Sequence, residues 1–221
     1  MVKNLIFDLG GVVIFLDPEK AERRFREVGI ADAAKQLNIY GQGGAFGELE
    51  KGNISAEEFC RMLGLTHEQA FYAWMGYLDR VFQEGLDYIM ELRSQYKTFI
   101  LSNTNPILMD WGHSDDFAPA GHSLDWYFDK VYTSYELHDY KPAHSIFQKV
   151  LDAEGLKPEE TLFIDDSPRN IAAARELGMQ TLLVENGKHW LDKLRHSILQ
   201  HRLQAGNVPQ NTMSQQVAGS R

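Results

Sequence analysis

Cysteine is almost absent: Cys60 is the single one among 221 residues, which excludes an internal disulfide and suits a reducing compartment. Its flank, Glu57-Glu58-Phe59-Cys60-Arg61-Met62-Leu63, reads as an amphipathic helix, so a packed thiol is expected rather than a nucleophile. Positive charge is also short. Twenty-two Lys and Arg against 31 Asp and Glu leave a net −9, without the clustered basic face that nucleic acid requires. No apolar run is long enough to span a bilayer. The opening Met1-Val2-Lys3-Asn4 lacks a signal-peptide pattern, so a cytoplasmic location with no membrane partner is expected. Internal repeats are lacking too. From Gly206 to Arg221 the chain has little to bury, being rich in Gln, Asn, Ser and Gly, and a flexible tail is expected over residues 201–221.

What the chain does have is enough apolar content, 43%, for one full core and a small second lobe. Short runs rich in β-branched and aromatic residues predict strands at Leu5–Asp8, Thr98–Ser102, Lys130–Thr133, Leu162–Asp165 and Thr181–Val184. They are continuously apolar rather than alternating, as in a parallel sheet covered on both faces. Helical patterns lie between the later strands. Ala143–Ala153 carries Ile146, Phe147, Val150 and Leu151 on one face, and Ser167–Leu177 has Pro168 in its first turn and Gly178 at its end. The alternation predicts an α/β fold with a Rossmann-like, doubly wound parallel sheet. From Leu16 to Glu84 the rhythm breaks, with helical stretches at Pro18–Val28, Ala31–Tyr40, Ala56–Leu63 and His67–Leu78 and no convincing strand. That length exceeds one crossover. An inserted all-helical cap is expected over residues 17–84, with the core at 1–16 and 85–200.

Acids stand where two of these strands end. Asp8 closes Leu5-Ile6-Phe7, and Asp165 and Asp166 close Leu162-Phe163-Ile164. Ligands of open α/β sheets bind at such strand ends. Asp8 can serve as a nucleophile there, with the other two acids placed to hold a hard cation.

Four motifs in order then resemble those of the haloacid dehalogenase superfamily, in the branch with a helical cap after the first strand. They are Phe7-Asp8-Leu9-Gly10-Gly11-Val12, Phe99-Ile100-Leu101-Ser102-Asn103-Thr104-Asn105, Tyr140-Lys141-Pro142 and Phe163-Ile164-Asp165-Asp166-Ser167-Pro168-Arg169-Asn170. The resemblance implies that Asp8 attacks phosphorus, and that Ser102 and Lys141 join it as catalytic residues. It implies that Gly11, Ser102, Asn103 and Lys141 bind the phosphoryl group. Mg²⁺ would be held by Asp8, the Gly10 carbonyl and Asp166, with Asp165 a ligand or its support and Asn170 orienting the pair.

One position departs from the family's phosphatases. Gly10 stands where a second aspartate commonly protonates the leaving group, an assistance typically worth about 10²–10⁴-fold. Asp17, His113 or a cap residue could substitute, or the leaving group could need no help. The expected activity is Mg²⁺-dependent hydrolysis of a small phosphorylated metabolite, a sugar phosphate among the candidates, through an aspartyl-phosphate. A metal-free 2-haloacid dehalogenase and a slow or non-catalytic binding protein are the alternatives. Phe46, Glu48, Lys51, Phe71, Tyr72, Trp74 and Tyr77 are candidate specificity residues, though packing is the commoner use of aromatics at helical spacing. Residues 106–127 carry His113, Asp115, Asp116 and His122, which invite a zinc site; their spacing fits a polar loop better.

Overall fold

The computed structural model describes residues 1–37 and 44–205. Strand β1 (Asn4–Phe7) turns into a short strand β2 (Ile14–Leu16). Five helices follow: α1 (Pro18–Glu27), α2 (Ala33–Gln36), α3 (Gly44–Glu50), α4 (Ala56–Leu63) and α5 (His67–Trp74), the last running into a 3-10 turn at Met75–Tyr77. Strand β3 (Leu78–Val81) returns the chain to α6 (Gln83–Leu92) and β4 (Lys97–Ser102). Then come α7 (Pro106–Gly112), α8 (Leu124–Tyr127), β5 (Lys130–Thr133), α9 (Ser134–Leu137) and α10 (His144–Glu154). The chain continues through β6 (Thr161–Asp165), α11 (Pro168–Glu176), β7 (Gln180–Leu183) and α12 (Leu191–Ala205).

The central sheet is parallel, in the order β5-β4-β1-β6-β7. Its middle strands are buried throughout, which explains their unbroken apolar character. One face packs Phe7, Ile100, Leu162 and Ile164 against Leu86, Phe128 and Trp190; the other packs Ile6, Phe99, Leu101 and Phe163 against Phe147, Val150 and Ile171. The Trp190 indole N–H donates to the Val12 carbonyl at 2.9 Å, tying the start of α12 to the turn after β1.

Helices α1 to α5 bury a separate cluster. Phe25, Phe46, Phe59 and Trp74 meet edge-on or tilted with ring centroids 5.1–6.2 Å apart. The caps are local and legible: Asp17 accepts from the Lys20 N–H, Ser55 from the Glu58 N–H, and Gly64 ends α4 at φ +68. A full reciprocal capping box lies at Thr66 and Gln69.

The structure corrects five expectations. The insert is flanked by a strand after all: β3 pairs antiparallel with β2, and Leu78-Asp79-Arg80-Val81 carries too little apolar residue to signal this. Phe46 and Glu48 lie on helix α3, which is not among the helical stretches expected from the sequence because Gly44 and Gly47 weaken its pattern. Of the helix expected at Ala31–Tyr40, α2 covers part and residues 38–40 lie outside the described residues. Residues 106–127 are not a polar loop, since α7 and α8 bury Ile107, Met109, Trp111, Phe117 and Leu124. The first five residues of the expected tail, 201–205, belong to α12, and the segment 206–221 lies outside the described residues. Among the described residues no helix is long and apolar enough to cross a membrane.

Candidate active site

Strand register gathers the acids. Phe7 is level with Ile164 on one side and Ile100 on the other, so the next residue of β1, Asp8, faces Asp165 across the strand ends, with Ser102 one step beyond β4's Leu101. Neighbours β4 and β6 continue in opposite directions from β1, making this the crevice where strand order reverses. Carboxylate oxygens of Asp8, Asp165 and Asp166 lie within 4.8 Å of one another.

Lys141 sits inside that group with 1% of its surface exposed. Its ammonium is 3.0 Å from Asp8 Oδ1 and 2.8 Å from Asp165 Oδ2. Burial alone would push the ammonium's pKa down; the Asp165 and Asp8 carboxylates outweigh it and hold the lysine charged. Asp8 is driven well above the ordinary carboxyl range by burial, relieved by Lys141 and aggravated by Asp165 and Asp166. Burial and the Asp165 charge push Asp166 up to about 6.

Asp165 is fully buried and fully engaged. It accepts from Lys141, from the Ser167 N–H at 2.7 Å and from the Asn170 amide at 3.0 and 3.1 Å. Asn170 thus reaches Asp165, the first acid of the pair. The Asn103 side chain is committed elsewhere than to a ligand: its amide donates to the Lys141 carbonyl and accepts from the Lys141 N–H, both at 2.9 Å. It holds the lysine loop in place. Ser102 lies buried on the wall with only a long 3.4 Å contact to the Asn103 carbonyl.

Gly11 has a different part from the one expected. Its N–H already donates to the Ile14 carbonyl at 2.8 Å. At φ +75 it adopts a left-handed backbone, and a Cβ there would stand 2.0 Å from Asp166 Oδ2. Glycine at this position makes room for a carboxylate.

A cavity of about 230 Å³ opens over Asp8. Asp8, Gly10, Ser102, Asn103, Lys141, Asp166 and Asn170 line it from the core, and Glu50, Trp74 and Tyr77 from the insert. Of the specificity candidates, only Trp74 and Tyr77 line it. Phe46 packs in the insert's core, Phe71 packs between the two clusters, Glu48 accepts from Asn53, and Tyr72 donates to Glu27 at the surface. Lys51 lies off the wall, its carbonyl beside His138 Nδ1.

The residues considered as a substitute acid separate likewise. Asp17 caps α1, and His113 pairs with Asp125 at 2.7 Å on the surface. His122 stacks on Trp126, and among the described residues neither histidine joins a cluster able to hold a metal. Sequence reasoning missed Glu50 and Thr104. Glu50 accepts from the Tyr140 hydroxyl at 2.8 Å, and burial pushes its carboxyl up to about 7. Its only sequence signal is an acid at the end of an unrecognised helix.

Three carboxylates this close suit a hard cation. Ligand atoms of one Mg²⁺, each at 2.0–2.1 Å, are at most about 4.2 Å apart. The three carboxylates, within 4.8 Å of one another, would have to draw closer than this to share one ion, and the upward shifts of Asp8 and Asp166 show that the group as it stands lacks positive charge.

The haloacid dehalogenase-like hydrolase family model matches residues 2–178. The D-ribitol-5-phosphate phosphatase of Bacteroides thetaiotaomicron is 44% identical over 200 residues, covering 88% of this chain and 97% of that protein. A predicted HAD-like family hydrolase from Porphyromonas gingivalis superposes with TM-score 0.85 at 43% identity, over 90% of this chain and 98% of that one. A HAD family enzyme of Bacteroides thetaiotaomicron, solved with magnesium and inorganic phosphate, gives TM-score 0.79 at 35% identity over 88% and 100%. With that coverage and this arrangement of strand-end acids, the chain belongs to the haloacid dehalogenase-like hydrolase family.

Proposed function

We propose that this chain is a Mg²⁺-dependent phosphatase of a small phosphorylated polyol or sugar, working through a phosphoryl group carried on Asp8. The observation that carries the reading is the Lys141 ammonium held 3.0 Å from Asp8 at the head of the cavity. The Lys141 charge favours the ionised form of Asp8, and a carboxylate that attacks phosphorus gives an acyl phosphate that water can cleave. Asp8 oxygen bonds to phosphorus, the bond to the leaving oxygen breaks, and the departing alcohol takes up a proton. Water then attacks the acyl phosphate, releasing phosphate and restoring the carboxylate.

Lys141 offsets the repulsion between an anionic nucleophile and an anionic substrate. Ser102 is the donor for a phosphoryl oxygen, and Asn103 fixes where Lys141 stands. Asp165, saturated by Lys141, Ser167 and Asn170, orients rather than ligates. Mg²⁺ held by Asp8, the Gly10 carbonyl and Asp166 would supply charge neutralisation and orientation of the phosphoryl group. Residues 17–84 serve as the cap that closes the cavity and excludes water.

Phosphate release from D-ribitol 5-phosphate is expected with Mg²⁺ and not with excess EDTA. Asp8→Asn should abolish it, and acid-quenched wild type should carry a phosphoryl mass increment on the Asp8 peptide. Metal-independent halide release from 2-haloacids would overturn the reading in favour of a dehalogenase. Ligand binding without any turnover would favour a binding protein.

A further inference from the structure

The cavity has polar equipment that phosphoryl transfer does not use. Trp74 and Thr104 line the cavity, and the indole N–H of one and the hydroxyl of the other are buried and meet no hydrogen-bond partner among the described residues. Leaving such a donor unmet is unfavourable, so one on a residue of the cavity wall is available to something that enters. Glu50 lines the same cavity and accepts from the Tyr140 hydroxyl, and Tyr77 stacks on Trp74 with ring centroids 5.9 Å apart.

Glu50 is also held in place from the core. Its carbonyl accepts from the Ser134 hydroxyl at 2.6 Å. Gly52, two residues on at φ +70, approaches α9 so closely that a Cβ would stand 2.0 Å from the Tyr135 carbonyl oxygen. An acceptor, a donor and two hydroxyls on rigid elements therefore share a wall with the nucleophile.

We propose that Glu50, Trp74 and Thr104, with Tyr140 orienting Glu50, bind the hydroxyl groups of the substrate and select phosphomonoesters of polyhydroxylated chains. The inference rests on the phosphatase reading above. The Glu50 carboxylate accepts from one substrate hydroxyl while the Trp74 N–H donates to a neighbouring one. A site built this way disfavours analogues that lack the hydroxyls, because its buried polar groups are then left unpaired.

The test compares D-ribitol 5-phosphate with p-nitrophenyl phosphate, which presents no hydroxyls, in wild type, Glu50→Gln and Trp74→Phe with Mg²⁺. Expected is a fall of tenfold or more in the ratio of kcat/KM for the polyol to that for the aryl phosphate. Most of it should be a rise in KM for the polyol. Trp74→Phe keeps the ring packing, so it decides the matter if Glu50→Gln folds poorly. Loss by a common factor on both substrates in Trp74→Phe would overturn the inference and leave the phosphatase reading intact, as would an unchanged ratio. Wild type that hydrolyses neither substrate would sink both.

Discussion

Glu50 offers a prediction that needs no substrate. Its carboxyl titrates near 4.5 in an unfolded chain and near 7 in the folded one, because burial outweighs the Tyr140 hydrogen bond and the Lys51 charge. The groups facing it are Tyr140, Tyr77 and Lys51, and the phenols are held protonated by burial and by Glu50 itself. A carboxyl whose folded pKa is raised binds its proton more tightly when folded, so it costs nothing below pH 4.5. It destabilises progressively as pH rises from there to about 7. The ceiling is about 3 kcal/mol, from 1.36 kcal/mol per pKa unit. Glu50 keeps partial exposure through the cavity, which reduces the figure to roughly 1–2 kcal/mol between pH 5 and 8. Glu50→Gln removes this loss and preserves shape. Urea unfolding in EDTA should therefore show the variant gaining on wild type by roughly 0.5–1 M in midpoint from pH 5 to 8. Asp8 and Asp166 titrate in both proteins and cancel in the comparison. Parallel midpoints at both pH values would refute the reasoning.

Lys141→Met should cost roughly 3–5 kcal/mol in a urea titration, since it leaves Asp8 and Asp165 facing each other in the interior without their cation. Mg²⁺ should raise the melting temperature of wild type, and Asp166→Asn should largely abolish that rise; an equal rise in both would remove Asp166 from the metal site. Gly11→Ala should weaken Mg²⁺ binding by calorimetry at least tenfold, because its methyl would displace the Asp166 carboxylate. Gly10→Asp should fold, since the new Cβ meets only the end of the Leu16 side chain, at 3.1–3.7 Å, which can turn aside. It should raise kcat on an unactivated alkyl phosphate by about tenfold or more; a folded, Mg²⁺-binding variant with unchanged kcat would show that no proton donor is missing.

The core was legible because its signals are local. Unbroken apolar runs ending in Asp8, Ser102 and Asp165 announce strands whose tips must meet, and the parallel register brings them level. Lys141 is a different matter. Only its motif singled it out, because a lysine 1% exposed is indistinguishable in sequence from one in solvent. Glu50, Trp74 and Thr104 were harder still, since their meeting depends on how the insert docks on the core. The Ser134 bond to the Glu50 carbonyl joins residues 84 positions apart, and no spacing rule reaches that far. Trp74 stood among several aromatics of equal appearance. Tertiary packing alone decides that it lines the cavity while Phe46 fills the core and Tyr72 faces outward.

Gly10 takes on a clearer meaning against this background. The space beside it is held by Leu16, whose side chain lies 3.1–3.7 Å from where a Cβ would stand and itself lines the cavity. An aspartate there would have to share that space with an apolar side chain carried on β2, the strand that leads into the insert. The wall beside the nucleophile is therefore apolar on the β1–β2 side, with Ile14 and Leu16, and polar where Glu50, Trp74 and Thr104 contribute. A substrate able to occupy both walls has its phosphoryl end against Asp8 and Lys141 and its hydroxyls toward the insert. If part of the binding energy from those remote hydroxyls is expressed only in the transition state, that part accelerates the reaction without a proton donor at residue 10. Truncating the substrate should then lower kcat as well as raise KM, whereas in an enzyme limited by leaving-group protonation the rate would instead follow the leaving group's pKa.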